Sequence, residues 1–178
     1  MTPQDVTKFW FAAGEDRWFS KDAAFDGQLS VRFGAALAQA RDGVFDAWAD
    51  TPRGALGLVI LLDQLSRNIH RGSPLAFAAD ARALRLAKQA IGRGYLTAMR
   101  APEAMWFCMP LEHSENLDDQ WRCVGLFQTM GLNEMVHWAK LHLDIIARFG
   151  RFPHRNAVLG RKSTPEELAF LKAGGFSG

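Results

Sequence analysis

Three polar clusters in the sequence combine residue types that can do chemistry. The first, Asp63-Gln64-Leu65-Ser66-Arg67-Asn68-Ile69-His70-Arg71, follows directly on the apolar run Ala55–Leu62. Asp63 and Arg67 are four residues apart, as are Arg67 and Arg71, so on a continuous helix all three share one face. Gln64 and Asn68 form a neighbouring row of amides. An apolar helix that turns abruptly polar can deliver such groups from a core to a cleft. It can equally be an exposed helix end, with its arginines set favourably against the helix dipole.

The second cluster is Glu112-His113-Ser114-Glu115, just after Pro110. A neighbouring charge readily moves a histidine across neutrality, so His113 flanked by carboxylates suits proton transfer, with Glu115 orienting it. His113 and Glu115 could also ligate a metal, while Ser114-Glu115-Asn116 could simply cap the next helix. A nucleophilic Ser114 beside His113 is disfavoured, because adjacent side chains point apart. No metal site is assigned.

The third cluster runs from Arg148-Phe149-Gly150-Arg151-Phe152-Pro153-His154-Arg155-Asn156 to Gly160-Arg161-Lys162. Between Arg148 and Lys162 there are four arginines, one lysine and no acidic residue. Gly150 and Pro153 predict a loop leaving a helix, and Phe149 and Phe152 can anchor that loop to the core. Guanidiniums on an anchored loop recognise phosphate or carboxylate by paired hydrogen bonds, which makes Arg148, Arg151 and Arg155 candidate anion ligands. The alternatives are arginines spent on helix-end carbonyls, on Asp63, Glu115, Asp118 or Asp119, or on solvent.

Histidine spacing narrows the options. His137 and His142 lie about 140° apart around a helix and cannot ligate one ion from the same face. His142 borders the predicted apolar stripe of its helix, as a half-buried core histidine or a cleft ligand near Asp144 or Glu115. No phosphate-binding glycine loop, dinucleotide fingerprint or zinc-peptidase histidine pair occurs, so no cofactor is expected.

These clusters must be positioned by helices. The chain has 178 residues, 48% hydrophobic and 22% charged, which fits one globular domain over 1–178 and excludes intrinsic disorder. A formal charge of +2 is too balanced for a protein that coats nucleic acid, and the basic stretch is short, so RNA binding is disfavoured. Cys108 and Cys123 match no zinc or redox spacing and read as reduced core thiols. The longest apolar stretch, Ala55–Leu62, falls far short of the ~20 residues of a membrane helix. No signal-peptide pattern opens the sequence, and a cytoplasmic location is expected.

Helix punctuation recurs throughout: Thr2-Pro3, Thr51-Pro52, Ala101-Pro102 and Ser163-Thr164-Pro165 are start signals. Phe25, Leu29, Phe33 and Leu37 mark a helix ending near Asp42-Gly43. Phe77, Ala81, Leu84 and Ala87 predict the apolar face of another. Trp121, Val124 and Phe127 predict a third, and Trp138, Leu141, Ile145 and Phe149 a fourth, capped by Asn133. No segment alternates long enough to require a strand. The expected class is all-α, with about seven or eight helices in antiparallel hairpins. Trp10, Trp18 and Trp48 are aromatic surface that a dimer could cover, although oligomeric state is not legible.

At the three clusters the sequence resembles an uncharacterised bacterial family, domain-of-unknown-function family 924. The resemblance is carried by Gly57–Gln64, Arg67-Asn68, Arg71-Gly72, His113-Ser114-Glu115, His142–Asn156, Gly160 and Ser163–Glu167. Leu65-Ser66 and Leu143 depart from the pattern, where an aromatic-proline pair and a basic residue are usual. The resemblance implies a tetratricopeptide-like helical array and no particular activity.

The residues themselves support two functional expectations. In one, Asp63, Gln64, Arg67, Asn68 and Arg71 face His113, Glu115, His142 and the Arg148–Arg155 loop across a cleft. The arginines would bind a small phosphorylated or carboxylated metabolite, and His113 or His154 would move protons, oriented by Glu115 or Asp63, as in a hydrolase or lyase. In the other, the chain is a non-catalytic helical module that binds peptides or proteins, and the clusters are internal ion-pair networks.

Overall fold

A reciprocal capping box between Thr2 and Asp5, with Pro3 at the first helical position, opens α1 (Pro3–Ala13). The computed structural model describes residues 1–176, and every regular element in them is helical. The chain continues through α2 (Glu15–Trp18), α3 (Ala23–Arg41) and α4 (Pro52–Ile60), the last capped by the Thr51 hydroxyl. A π turn, Leu61–Leu65, follows α4 and leads into α5 (Ser66–Ile69). Then come α6 (Asp80–Gly92), α7 (Ala101–Ala104), α8 (Met109–Glu112), α9 (Leu117–Thr129), α10 (Asn133–Phe149) and α11 (Pro165–Lys172). Four of these segments, α2, α5, α7 and α8, are single turns of four residues. The remaining seven run for eight residues or more, where the sequence predicts about seven or eight helices in all.

The chain packs as two compact units, one formed by Met1–Arg71 with Leu75–Pro110, the other by Gly72–Pro74 with Leu111 onward. In the first, α4 is the central helix, buried on all sides from Gly54 through the π turn. It is hydrophobic all round because α1, α6 and the turn at Asp46–Asp50 surround it. Gly57 permits the close approach of α1: a Cβ there would lie 2.8 Å from both the carbonyl oxygen and Cβ of Pro3. An aromatic cluster of Phe9, Trp10, Trp18, Phe25 and Trp106 fills the space beside α1. Trp10 is fully buried there, which removes it from the aromatic surface expected of it. Its carbonyl accepts a 2.7 Å hydrogen bond from the Trp18 indole.

In the second unit, α9 and α10 form a helical hairpin closed by the turn at Met130–Leu132. Ile145 and Ile146 of α10 pack with Phe152, and α11 lies against the short 3-10 turn Pro153–Arg155.

Several predicted faces are displaced. Phe77 sits in a 3-10 turn before α6, Ala81 is exposed, and the buried face is Ala83, Leu86, Ala87 and Ala90. Trp121 and Trp138 are 60% and 42% exposed, whereas Ala139, His142, Leu143, Ile145 and Ile146 form the buried stripe of α10. Asn133 is the first residue of α10 and makes no cap; Leu132 occupies the cap position. For Phe77, Trp121 and Trp138 the reason is common: an aromatic at helical spacing can satisfy the same periodicity away from the packed face. Small residues such as Ala83 and Ala139 then occupy the close contacts.

Candidate functional site

In the first unit, the π turn opens the first polar cluster. It contains Asp63 and runs on into α5, and the helix ends at His70, so Arg71 lies beyond it. Asp63 and Arg67 still meet at i,i+4 spacing, but Arg71 does not join them on a shared face. Asp63 is 1% exposed and accepts a 2.6 Å hydrogen bond from the Gln64 side chain. Arg67 lies 3.6 Å from Asp63 and 3.1 Å from Asp80, bridging the two carboxylates. Arg71 grips Asp26 of α3 through Nε and Nη2 at 2.6 and 3.1 Å, and Asn68 donates to the same carboxylate at 2.8 Å. Asp26 carried no signal in the sequence, because its partners lie more than forty positions away.

In the second unit, the chain reverses after α10 through Gly150, whose φ of 68° is the left-handed conformation that favours glycine. The basic loop that follows is answered by carboxylates outside it. Arg148 holds Glu166 at 2.8 and 2.9 Å, and Arg151 holds Glu167 at 2.6 and 2.8 Å. Arg161 forms a two-pronged pair with Glu115 at 2.7 and 2.9 Å. Glu166 and Glu167 reach the loop because the Thr164–Glu167 capping box starts α11 there. Arg151 and the backbone and Asn156 donors around Glu167 hold its carboxyl at about 2, although burial opposes this. Burial would raise Glu115, but Arg161, the Phe152 amide and the charge of Arg155 together hold it below the usual range.

Phe152 is the hub of the remaining residues. It is fully buried; its amide donates to Glu115 at 2.8 Å, and its carbonyl accepts from Arg161 at 3.1 Å. The Arg155 guanidinium lies 4.3 Å from the centre of its ring and donates to the His113 carbonyl at 3.0 Å. His142 and His154 pack against the same ring, at centroid distances of 5.5 and 5.6 Å. The unit thus brings together His142, His154, Arg155, Glu115 and the His113 backbone, and turns Arg148 and Arg151 toward α11.

His142 has the most defined chemistry of this group. Its Nδ1 lies 3.1 Å from Oε1 of Glu112 and 2.9 Å from the Trp138 carbonyl, and both side chains of the dyad are buried. Two acceptors at one ring nitrogen require that nitrogen to carry the proton, so Nε2 is where the neutral ring accepts one. Sequence reading placed Glu112 beside His113 and missed this pairing. Thirty residues separate Glu112 from its partner, and only helix packing closes that distance. Among the described residues no group of three or more His, Cys, Asp and Glu side chains is arranged to hold a metal ion. Among the described residues no helix is long and apolar enough to cross a membrane.

The comparisons agree with this picture of fold and family. No functionally curated protein matches the chain. The solved structure of a protein of unknown function, ATU0120 from Agrobacterium tumefaciens, is 41% identical, with 97% of each chain covered and a TM-score of 0.92. A family model described as a bacterial protein of unknown function, DUF924, matches residues 6–175, and the chain belongs to that family.

Proposed function

We propose that the second unit binds a small phosphorylated or carboxylated metabolite at the cluster around Phe152. Arg155 and His154 hold the anion, and His142 transfers protons through Nε2, as a hydrolase or lyase requires. The observation that carries this reading is the Glu112–His142 dyad. A buried carboxylate that fixes an imidazole tautomer is the arrangement by which general bases are oriented. Buried Arg155, laid on an aromatic face, supplies a preorganised cation beside it. Asp63, Gln64, Arg67, Asn68 and Arg71 act in this proposal as a structural network, since Asp26 and Asp80 already engage the two arginines. Neither cysteine forms a disulfide among the described residues, which supports a reducing, cytoplasmic setting.

A second reading, a non-catalytic tetratricopeptide-like module for protein partners, is favoured by the exposed Trp121 and Trp138 on the α9–α10 hairpin. Exposed tryptophans are enriched where surfaces are later covered.

Thermal unfolding with inorganic phosphate and with succinate separates the readings. A ligand at a hundred times its dissociation constant stabilises by about 2.7 kcal/mol, a rise of about 5–10 °C for a chain this long. The rise is expected to vanish in His154→Gln and in Arg155→Met with the fold intact. Absence of any rise across phosphate and dicarboxylate probes overturns the metabolite reading.

A further inference from the structure

Beyond α11 the chain does something that the packing of α11 does not require. The helix ends at Lys172, and Gly174, at a φ of 82°, turns the backbone sharply. The Gly174 amide donates to the Leu171 carbonyl and the Gly175 amide to the Phe170 carbonyl, closing the turn. Gly175 is pressed against the Phe170 ring, where a Cβ would come within 2.5 Å of it. The turn places Phe176 across both histidines of the cluster: its ring centre lies 4.5 Å from that of His142 and 5.4 Å from that of His154.

The same residue also lines an open groove of about 470 Å³, shared with His137, Leu141, Phe149 and Phe170. Phe176 thus touches both imidazoles and a solvent-open groove. We propose that Phe176 is a gate: swung out on the Gly174-Gly175 turn, it opens the histidine cluster to the groove, and swung in, as here, it closes it. The groove provides the path by which a small anion would reach His142. The energetics suit a movable element. The ring is half-buried and rests on a two-glycine turn, and such segments open at far lower cost than the core. This inference rests on the cluster being a ligand site, but its test needs no ligand.

Diethyl pyrocarbonate carbethoxylates accessible imidazoles, and peptide mass mapping reads each histidine separately. His137, exposed on the same helix, is the internal reference. In the native protein His142 and His154 are expected to react slowly relative to His137. If the open state is populated at up to about 10%, Phe176→Ala raises both rates about tenfold or more. Phe176→Leu, which keeps an apolar cover, stays near the native rates. Should Phe176→Ala loosen the whole protein, seen as a parallel rise at His70, Gly174→Ala decides: it strains the turn while leaving the ring, and must raise the same two rates alone. The gate is overturned if native His142 already reacts as fast as His137. It is also overturned if neither variant changes His142 and His154 relative to His137. A failed phosphate or succinate shift, by contrast, overturns the ligand reading and leaves the accessibility result standing.

Discussion

Glu167→Gln tests whether the basic loop is held by charge or by packing. Glu167 is 2% exposed and accepts four hydrogen bonds: two from Arg151, one from Asn156 at 3.1 Å and one from the Thr164 amide at 2.7 Å. Glutamine keeps the shape, removes the charge and turns one acceptor into a donor that faces other donors. The carboxyl falls from 4.5 to about 2 in the folded chain, led by the Arg151 contact. At about 1.4 kcal/mol per unit, this linkage has a ceiling of about 3.5 kcal/mol. Arg151 is 28% exposed, so solvent screens the pair and roughly 1–2 kcal/mol is expected to survive. The sign follows from the depressed value. The contribution is complete above the unfolded carboxyl's range and is lost as pH falls through the folded one, between about 4.5 and about 2. Urea unfolding of native and variant protein at pH 7, 4 and 3 therefore should show a gap that narrows by more than half at the lowest pH. A gap of equal size at all three would mean that shape, not charge, sets the effect, and would refute the reasoning.

Two further substitutions probe the elements that position the clusters. Gly57→Ala adds a good helix former, worth about 1 kcal/mol in isolation, but drives a methyl into Pro3; a net loss of about 1–3 kcal/mol is expected, read as a lower Tm. Thr164→Ala removes the hydroxyl that starts α11 and should cost about 1 kcal/mol in urea unfolding, a loss that a Thr164→Ser variant largely restores.

Local chemistry in the sequence determined much of this protein. Thr2-Pro3, Thr51-Pro52 and Thr164-Pro165 place helix starts that the structure keeps, because a hydroxyl cap and a ring-fixed φ act within one turn. Phe25, Leu29, Phe33 and Leu37 are buried as their spacing predicts. The same logic misplaced Trp121 and Trp138, since periodicity fixes a helix but leaves the choice of packed face to the neighbours that cover it. It also placed Arg71 on one face with Asp63 and Arg67, whereas the helix ends before Arg71 is reached. What the loop arginines bind was settled by packing: Arg148, Arg151 and Arg161 meet Glu166, Glu167 and Glu115 only once α10, the loop and α11 are folded together. The Glu112–His142 dyad belongs to the same class. A hydrogen bond between groups thirty residues apart depends on distance in space, which the order of residues along a chain does not encode locally.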